Sequence, residues 1–235
     1  MHVVLFTDAD VFAGTESHML ELARGLREMG LHVSIACPAA GPLAQKAKGE
    51  NFGFVAIEKR GLIDWAAVRT LRRLLKSNVV DVIHAHNGRT ALSAALAVRL
   101  ARRGRCVATQ HFLEPNHASQ KGPKAVITHL AHAWVNRSTH HYIAISDAVR
   151  QAMLERSTAV KNKIPTISNG IAAPDESSLK PAAKMREEIG IASDAPLIVC
   201  AARLEREKDV TSLIAAMPEV VTAHPATVCV VAGHG

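Results

Sequence analysis

Aromatic residues are scarce: five Phe, two Trp and one Tyr make up 3% of 235 residues. The core must therefore be built from Ala, Val, Leu and Ile, and the stacking platforms that bind single-stranded nucleic acid are nearly absent. Recognition motifs for nucleic acid are missing too, so no nucleic-acid partner is expected. No uninterrupted apolar run reaches the roughly 18 residues of a membrane-spanning helix. The start, Met1-His-Val-Val-Leu-Phe-Thr-Asp8, lacks a basic segment and turns polar too early for a signal peptide. It reads as a first strand. The few cysteines, Cys37, Cys106, Cys200 and Cys229, stand far apart without C-x-x-C spacing. They read as buried, reduced thiols of a cytoplasmic protein.

Two phosphate-binding fingerprints, G-x-G-x-x-G and G-x-x-x-x-G-K, are also absent, which disfavours a dinucleotide site and a P-loop. Acidic residues are outnumbered, 21 against 28 Lys and Arg, leaving a net charge of +7. That balance fits an anionic partner, either a phosphorylated substrate or a membrane surface. Basic residues concentrate in Arg69-Thr-Leu-Arg-Arg-Leu-Leu-Lys76, which is amphipathic, and in Arg99-Leu-Ala-Arg-Arg-Gly-Arg105 at a helix end. The helix dipole alone favours cations at such an end. The alternative is a weak peripheral hold on anionic membrane.

What is present alternates between strands and helices. A strand over Val3–Thr7 leads through a loop with Gly14 to a helix over Thr15–Met29, ended by Gly30, and then to a strand over His32–Cys37. This βαβ opening predicts a parallel sheet. Further strands are expected over Phe52–Ile57, Val79–His84, Cys106–Gln110 and His141–Ile145. Helices are expected from a cap at Asp64 or a neighbour to about Lys76, over Thr90–Arg103 and Pro123–Arg137, and over Asp147–Arg156 behind a Ser146 cap. The loop Phe112–Gly122 is long and polar, as loops that contact ligands often are.

Several residues sit where open α/β sheets bind ligands, at strand carboxyl ends. Gly14 allows close backbone approach, in front of a helix terminus that attracts anions. His84 and His86 face one side of the fourth strand, and two such imidazoles could bind a metal. No third ligand stands at a usual spacing, so no metal is expected. His111 ends the fifth strand. Near the end of the chain, the run Leu197–Ala202 is followed by a loop holding Arg203, Arg206 and Lys208 and by an apolar helix capped at Asp209. Two cations beside a helix N-terminus suit a phosphate group, although a solvated basic turn reads equally well.

These segments, in this order, resemble retaining glycosyltransferases of the GT-B fold, family 4 in particular. Arg203 and Lys208 match the family's R-x-x-x-x-K pair, which contacts the diphosphate of a nucleotide sugar. Where the family often has Gly after the Lys, this chain has Asp209. The segment A-G-T-E-x-H-x-x-E-L-A is similar to the family's G-G-x-E loop: Gly14 and Glu16 match, and Thr15 replaces the other Gly. D-V-I-H-A-H with His86 and Asn87, T-Q-H ending in His111, the strand ending in Ser146, and Ile164–Ile171 with its Asn169-Gly170 turn resemble further family segments. The final Gly233-His-Gly235 resembles its G-x-G loop.

The resemblance implies transfer of a sugar from a nucleotide-diphosphate donor to a glycan or lipid-linked acceptor, with retention. No cofactor and no metal are implied. His111 would face the reacting sugar, as the catalytic residue. Gly14, Thr15, Glu16, His86, Asn87, Ser146, Asn169, Arg203, Lys208 and Gly233 would contact the substrates, although Ser146 also reads as a simple helix cap. The expected fold is α/β: a Rossmann-like N-terminal domain over 1–172, a hinge over 173–196, and over 197–235 the first βαβ unit of a second Rossmann-like domain. The family's later glutamate pair would lie beyond Gly235, so a chain truncated in that domain and poor in catalysis by itself is expected. A sugar-nucleotide epimerase and a non-catalytic binding remnant are the competing readings.

Overall fold

The computed structural model describes residues 1–58, 63–111, 130, 133–156 and 164–235. They form two units, Met1–Ala172 and Ala173–Gly235. The first holds six parallel strands: β1 (His2–Phe6), β2 (His32–Cys37), β3 (Gly53–Ala56), β4 (Val82–Ala85), β5 (Arg105–Gln110) and β6 (His141–Ala144). Their order across the sheet is β3-β2-β1-β4-β5-β6. Helices α1 (Gly14–Glu28), α2 (Pro42–Gly49), α3 (Trp65–Lys76) and α4 (Gly88–Ala101) follow β1 to β4 in turn, and α5 (Asp147–Arg156) follows β6. Residues 133–138 are also helical, while the rest of the expected Pro123–Arg137 helix and the Phe112–Gly122 loop lie outside the described residues.

The alternation of β1 side chains sets up three layers. Val3 and Leu5 pack with Met19, Leu20 and Ala23 of α1 and with Leu43 of α2 on one face. Val4 and Phe6 pack with Leu71 and Leu75 of α3 and with the alanines of α4 on the other. A parallel strand covered on both faces must be apolar throughout, which explains the uninterrupted Val-Val-Leu-Phe run. Small residues let α4 lie close to the sheet: Ala91, Ala94, Ala95 and Ala97 are all buried. The register pairs Val3 with Val82 and Phe6 with Ala85, so β1 and β4 end level.

Local signals fix the helix ends. The Asp64 carboxylate accepts from the amides of Ala66 and Ala67, and Ser146 Oγ accepts from the Val149 amide at 3.3 Å. Helix α2 is absent from the sequence expectation. It is short, begins with Pro42 and buries only Leu43, Ala44 and Ala47, too narrow a stripe to stand out as a period. The expected strand at Ile164–Ile171 contributes one parallel bridge, Thr166 to Ala144.

The second unit contains α6 (Ala182–Glu188), β7 (Leu197–Ala201), α7 (Val210–Ala223) and β8 (Val228–Ala232). β7 and β8 pair in parallel, Leu197 with Val228 through Ala201 with Ala232. Among its described residues only Ala195 and Val210 are buried hydrophobics. Cys37 and Cys106 are buried as expected, but Cys200 and Cys229 are only half-buried, because little packs over this small sheet.

Candidate functional site

The strand order reverses direction between β1 and β4. In sheets of this topology such a switch point opens a crevice at the strand carboxyl ends. Four imidazoles gather there. His84 lies within β4 and His86 directly after it, and their rings stack with centroids 4.4 Å apart. His111 follows β5, and its ring lies 5.5 Å from that of His86. His18, on the second turn of α1, lies 5.1 Å from His111 and 5.8 Å from His86.

The cluster is held from several directions. The His86 amide donates to Phe6 O at 3.0 Å, which ties it to β1. His84 Nε2 meets Thr109 Oγ1 at 2.7 Å, and His86 Nδ1 meets His111 Nε2 at 3.2 Å. His84 is thus a satisfied core residue that supports the ring in front of it. Desolvation lowers the proton affinity of all four, with the neighbouring imidazoles adding to it at three. His84 is pushed down to about 3 and His111 to about 4. His86 lies well below its usual value, and His18 is lowered by burial. All four are neutral at pH 7. Two nitrogens inside the cluster, His18 Nδ1 and His86 Nε2, are shielded from solvent and have no hydrogen-bond partner. Each such group costs roughly 1–3 kcal/mol.

Around the imidazoles, other polar groups fix the loops. Asn87 is the N-cap of α4, its Oδ1 accepting from Thr90 N at 2.9 Å. Its Nδ2 donates to Asp8 Oδ1 at 2.8 Å, and Arg89 pairs with the other Asp8 oxygen at 3.0 Å. The buried Asp8, at the end of β1, is thereby locked to the start of α4. Glu16 is buried, and its Oε2 accepts from the Ala13 amide at 3.0 Å, half of a capping box that the Ala13 side chain cannot complete. Gly14 is exposed, and a Cβ there would meet nothing within 4 Å, so the space before α1 is open. Thr15 is half-buried beside it.

Of the expected site residues, the fold brings Gly14, Thr15, Glu16, His86, Asn87 and His111 to this end of the sheet. Asn87 and Glu16 spend polar atoms on helix capping. Ser146 caps α5 at the end of β6, and Asn169 is exposed after the Thr166 bridge. Sequence reasoning passed over His18, Asp8 and Arg89. Local spacing offers no third imidazole beside His84 and His86, whereas the fold supplies His18 and His111 from other elements. A separate groove of about 290 Å³ lies at the amino ends of β1, β2 and β3, lined by His2, Arg27 and His32 among others, and does not include these residues.

The second unit carries the basic loop by itself. Arg203 follows β7 and pairs with Glu205, and Lys208 ends the short turn Arg206–Lys208. Asp209 has φ 45 and ψ 42, the left-handed region. Its carboxylate accepts from the hydroxyls of Thr211 and Ser212, at 3.1 and 2.8 Å. It makes no backbone cap, contrary to the expectation from sequence, because the left-handed turn directs the carboxylate to those hydroxyls instead. Gly233 follows β8, where a Cβ would lie 1.8 Å from Ala202 O.

These elements belong to a known family. The family model for Glycosyltransferase Family 4 matches residues 12–173, and the chain belongs to that family. Among curated relatives, a phosphatidyl-myo-inositol mannosyltransferase of Mycobacterium tuberculosis is 27% identical over 96% of this chain and 58% of its own length. Among solved structures, a glycosyltransferase from Rickettsia africae superposes with a TM-score of 0.78 at 19% identity, over 99% of this chain and 60% of its own. Anabaena HepE, solved with UDP-glucose, gives 0.76 at 18%, over 100% of this chain and 61% of its own. The chain thus spans about three-fifths of the length of each. The structural likeness shows the α/β GT-B-type fold expected from the sequence.

Proposed function

We propose that this chain serves a glycosyltransferase that moves a sugar from a nucleotide-diphosphate donor to a glycan or lipid-linked acceptor, with retention at the anomeric carbon. The observation that carries the reading is the pair His86 and His111, brought 3.2 Å apart at the carboxyl ends of β4 and β5, inside the matched family segment. A neutral imidazole at a strand end can hold a sugar hydroxyl by donating or accepting a hydrogen bond, without a charge that would need a counterion. The open space before Gly14 and the positive end of α1 leave room there for an anionic or strongly polar group. Arg203 and Lys208 would meet the diphosphate, Arg203 exchanging its Glu205 partner for phosphate oxygens. Relatives support the donor class: one is a mannosyltransferase and another was solved with UDP-glucose.

Among the described residues no helix is long and apolar enough to cross a membrane. A lipid-linked acceptor would then be met at the membrane surface, with the exposed basic face of α3 turned towards it. The test is a donor panel. Purified protein is incubated with UDP-sugars and other nucleotide sugars, and binding is followed by ligand-observed NMR, with transfer to lipid and oligosaccharide acceptors followed by mass spectrometry. Selective binding of one nucleotide sugar, abolished together by Arg203→Ala and Lys208→Ala, supports the reading. Epimerised sugar nucleotide released without an acceptor, or no nucleotide-sugar binding at millimolar donor, overturns it.

A further inference from the structure

His86 and His111 meet edge to edge. Their ring planes differ by 24°, and the 5.5 Å between centroids exceeds the 3.2 Å between His86 Nδ1 and His111 Nε2 by the two ring radii. Both nitrogens therefore lie close to the line joining the rings, where the in-plane N–H of one imidazole points at the in-plane lone pair of the other. Both rings are neutral, because burial lowers their proton affinity. A neutral imidazole carries its proton on one nitrogen and a lone pair on the other. One proton thus occupies the contact, given either by His86 to His111 or by His111 to His86.

The far nitrogen of His86 decides between them. His86 is 1% exposed, and its Nε2 is shielded from solvent without a hydrogen-bond partner. If His111 were the donor, the His86 proton would have to sit on Nε2, a buried N–H with nothing to receive it. In folded proteins orphaned buried N–H groups are rarer than under-satisfied acceptors. If His86 is the donor, its Nε2 keeps a bare lone pair and no N–H is stranded. Among the described residues the shielded, unpartnered ring nitrogens are His18 Nδ1 and His86 Nε2, neither of them on His111. His84 does not alter the balance: it lies against the face of His86 and turns its own Nε2 to Thr109 Oγ1.

We infer that His86 is a positioning residue that fixes the tautomer of His111: His86 Nδ1–H donates to His111 Nε2, and His111 carries its own proton on Nδ1. The bond made by one ring nitrogen settles what the other can do. A group that meets His111 Nδ1 must then offer a lone pair, as a sugar hydroxyl or a phosphate oxygen does. With Nε2 engaged and Nδ1 protonated, His111 cannot take a proton from an acceptor hydroxyl as a general base. It can stabilise negative charge developing on an oxygen. This meaning for sugar transfer rests on the function proposed above, whereas the tautomer is read without turnover.

The experiment is long-range proton–nitrogen correlation NMR at pH 7 on the whole chain carrying isotope-labelled histidine, with the two residues assigned from His111→Asn and His86→Gln. His111 should show a protonated Nδ1 and an unprotonated Nε2, with a through-hydrogen-bond nitrogen–nitrogen coupling to His86 Nδ1. A free histidine side chain prefers the Nε2–H form, so this pattern is not the default. His86→Phe removes the donor and should return His111 to mainly Nε2–H. Should that variant fail to fold, the parent spectrum decides alone. A His111 proton on Nε2 in the parent, or an unchanged Nδ1–H form in a folded His86→Phe protein, would overturn the assignment. The expected tautomers in a chain that binds no nucleotide sugar would uphold the assignment and count against the proposed function only.

Discussion

His86 and His111, 25 residues apart in the chain, meet with Nδ1 and Nε2 at 3.2 Å. The first is fully buried and the second half-exposed, so His86 backs a ring that solvent can reach. Under the proposed sugar transfer, however slow on this chain, replacing His111 by Ala should lower kcat/KM by about 10²–10³-fold, the usual cost of losing one well-placed hydrogen-bonding group in a transition state. His111→Asn keeps that capacity and should recover part of the loss. Steady-state kinetics with the identified donor checks this, and a change under fivefold in the Ala variant would remove His111 from the reaction.

Stability should depend on acid. In an unfolded chain each imidazole titrates near 6.5, but burial pushes His111 down to about 4 and His84 to about 3 in the fold. Between those values the unfolded state binds protons that the folded state refuses. Stability is therefore full above about pH 6.5 and lost as pH falls through 6 towards 4. Thermal melts from pH 8 to pH 4, with a chelator present, should show Tm dropping through that window. His84→Gln, which can still bond Thr109, should flatten the drop. A Tm independent of pH down to 4.5 would contradict the burial of these rings.

Much of this fold was legible because parallel strands and their helices leave periodic traces. The expected strand His32–Cys37 is β2, and the helix expected from a cap near Asp64 to Lys76 is α3, whose buried face is Val68, Leu71 and Leu75. Strand-end positions such as His86 and His111 follow once the strands are placed. His18 could not be read so, because its meeting with His111 depends on how α1 lies over the carboxyl ends of β4 and β5. The helix-capping duty of Glu16 was equally hidden: it turns on the direction of one carboxylate. Asp209 shows a third limit. Its left-handed φ of 45 is the conformation that glycine adopts without strain, which gives a backbone reason for the family's frequent Gly there.

Arg203 and Lys208 should each matter to donor affinity. Charge-assisted hydrogen bonds contribute about 1.5–3 kcal/mol, so Arg203→Ala or Lys208→Ala should weaken nucleotide-sugar binding roughly tenfold to a hundredfold. Glu205→Gln removes the Glu205–Arg203 ion pair and should tighten binding slightly. Calorimetry on the three variants gives the comparison, and equal affinities throughout would show the loop to be a solvated turn.

The exposed face of α3, with Arg69, Arg73 and Lys76, should hold the protein on anionic vesicles. Each basic residue near such a surface contributes about 1 kcal/mol. Reversing two of them to Glu should cut sedimentation with phosphatidylglycerol vesicles at low salt by more than tenfold. Arg72 is a poor choice for this test, since its Nε donates to Leu100 O at the end of α4. Equal binding of the parent protein to neutral and anionic vesicles would dispose of the idea.

Gly233 should tolerate no side chain. Beyond β7 and β8 the two backbones continue side by side, with Ala202 N donating to Ala232 O and Leu204 N to His234 O, both at 3.0 Å. An added Cβ at Gly233 would lie 1.8 Å from Ala202 O and 3.8 Å from the Cα of Arg203. Backbone, not a flexible side chain, must then move, and the segment that moves carries Arg203. Overpacking of this kind costs about 1–3 kcal/mol, a large share of what so thinly covered a unit can hold. Gly233→Ala should therefore speed hydrogen exchange at the amides of β7 and β8 by about tenfold or more. Amides of β1 and β4, in the other unit, serve as the internal control and should not change. Under the proposed function nucleotide-sugar affinity should fall with the loss of protection, because the proposed diphosphate contact would depend on where Arg203 sits. Parent-like exchange in β7 and β8 would mean that the close approach is not a constraint on this loop.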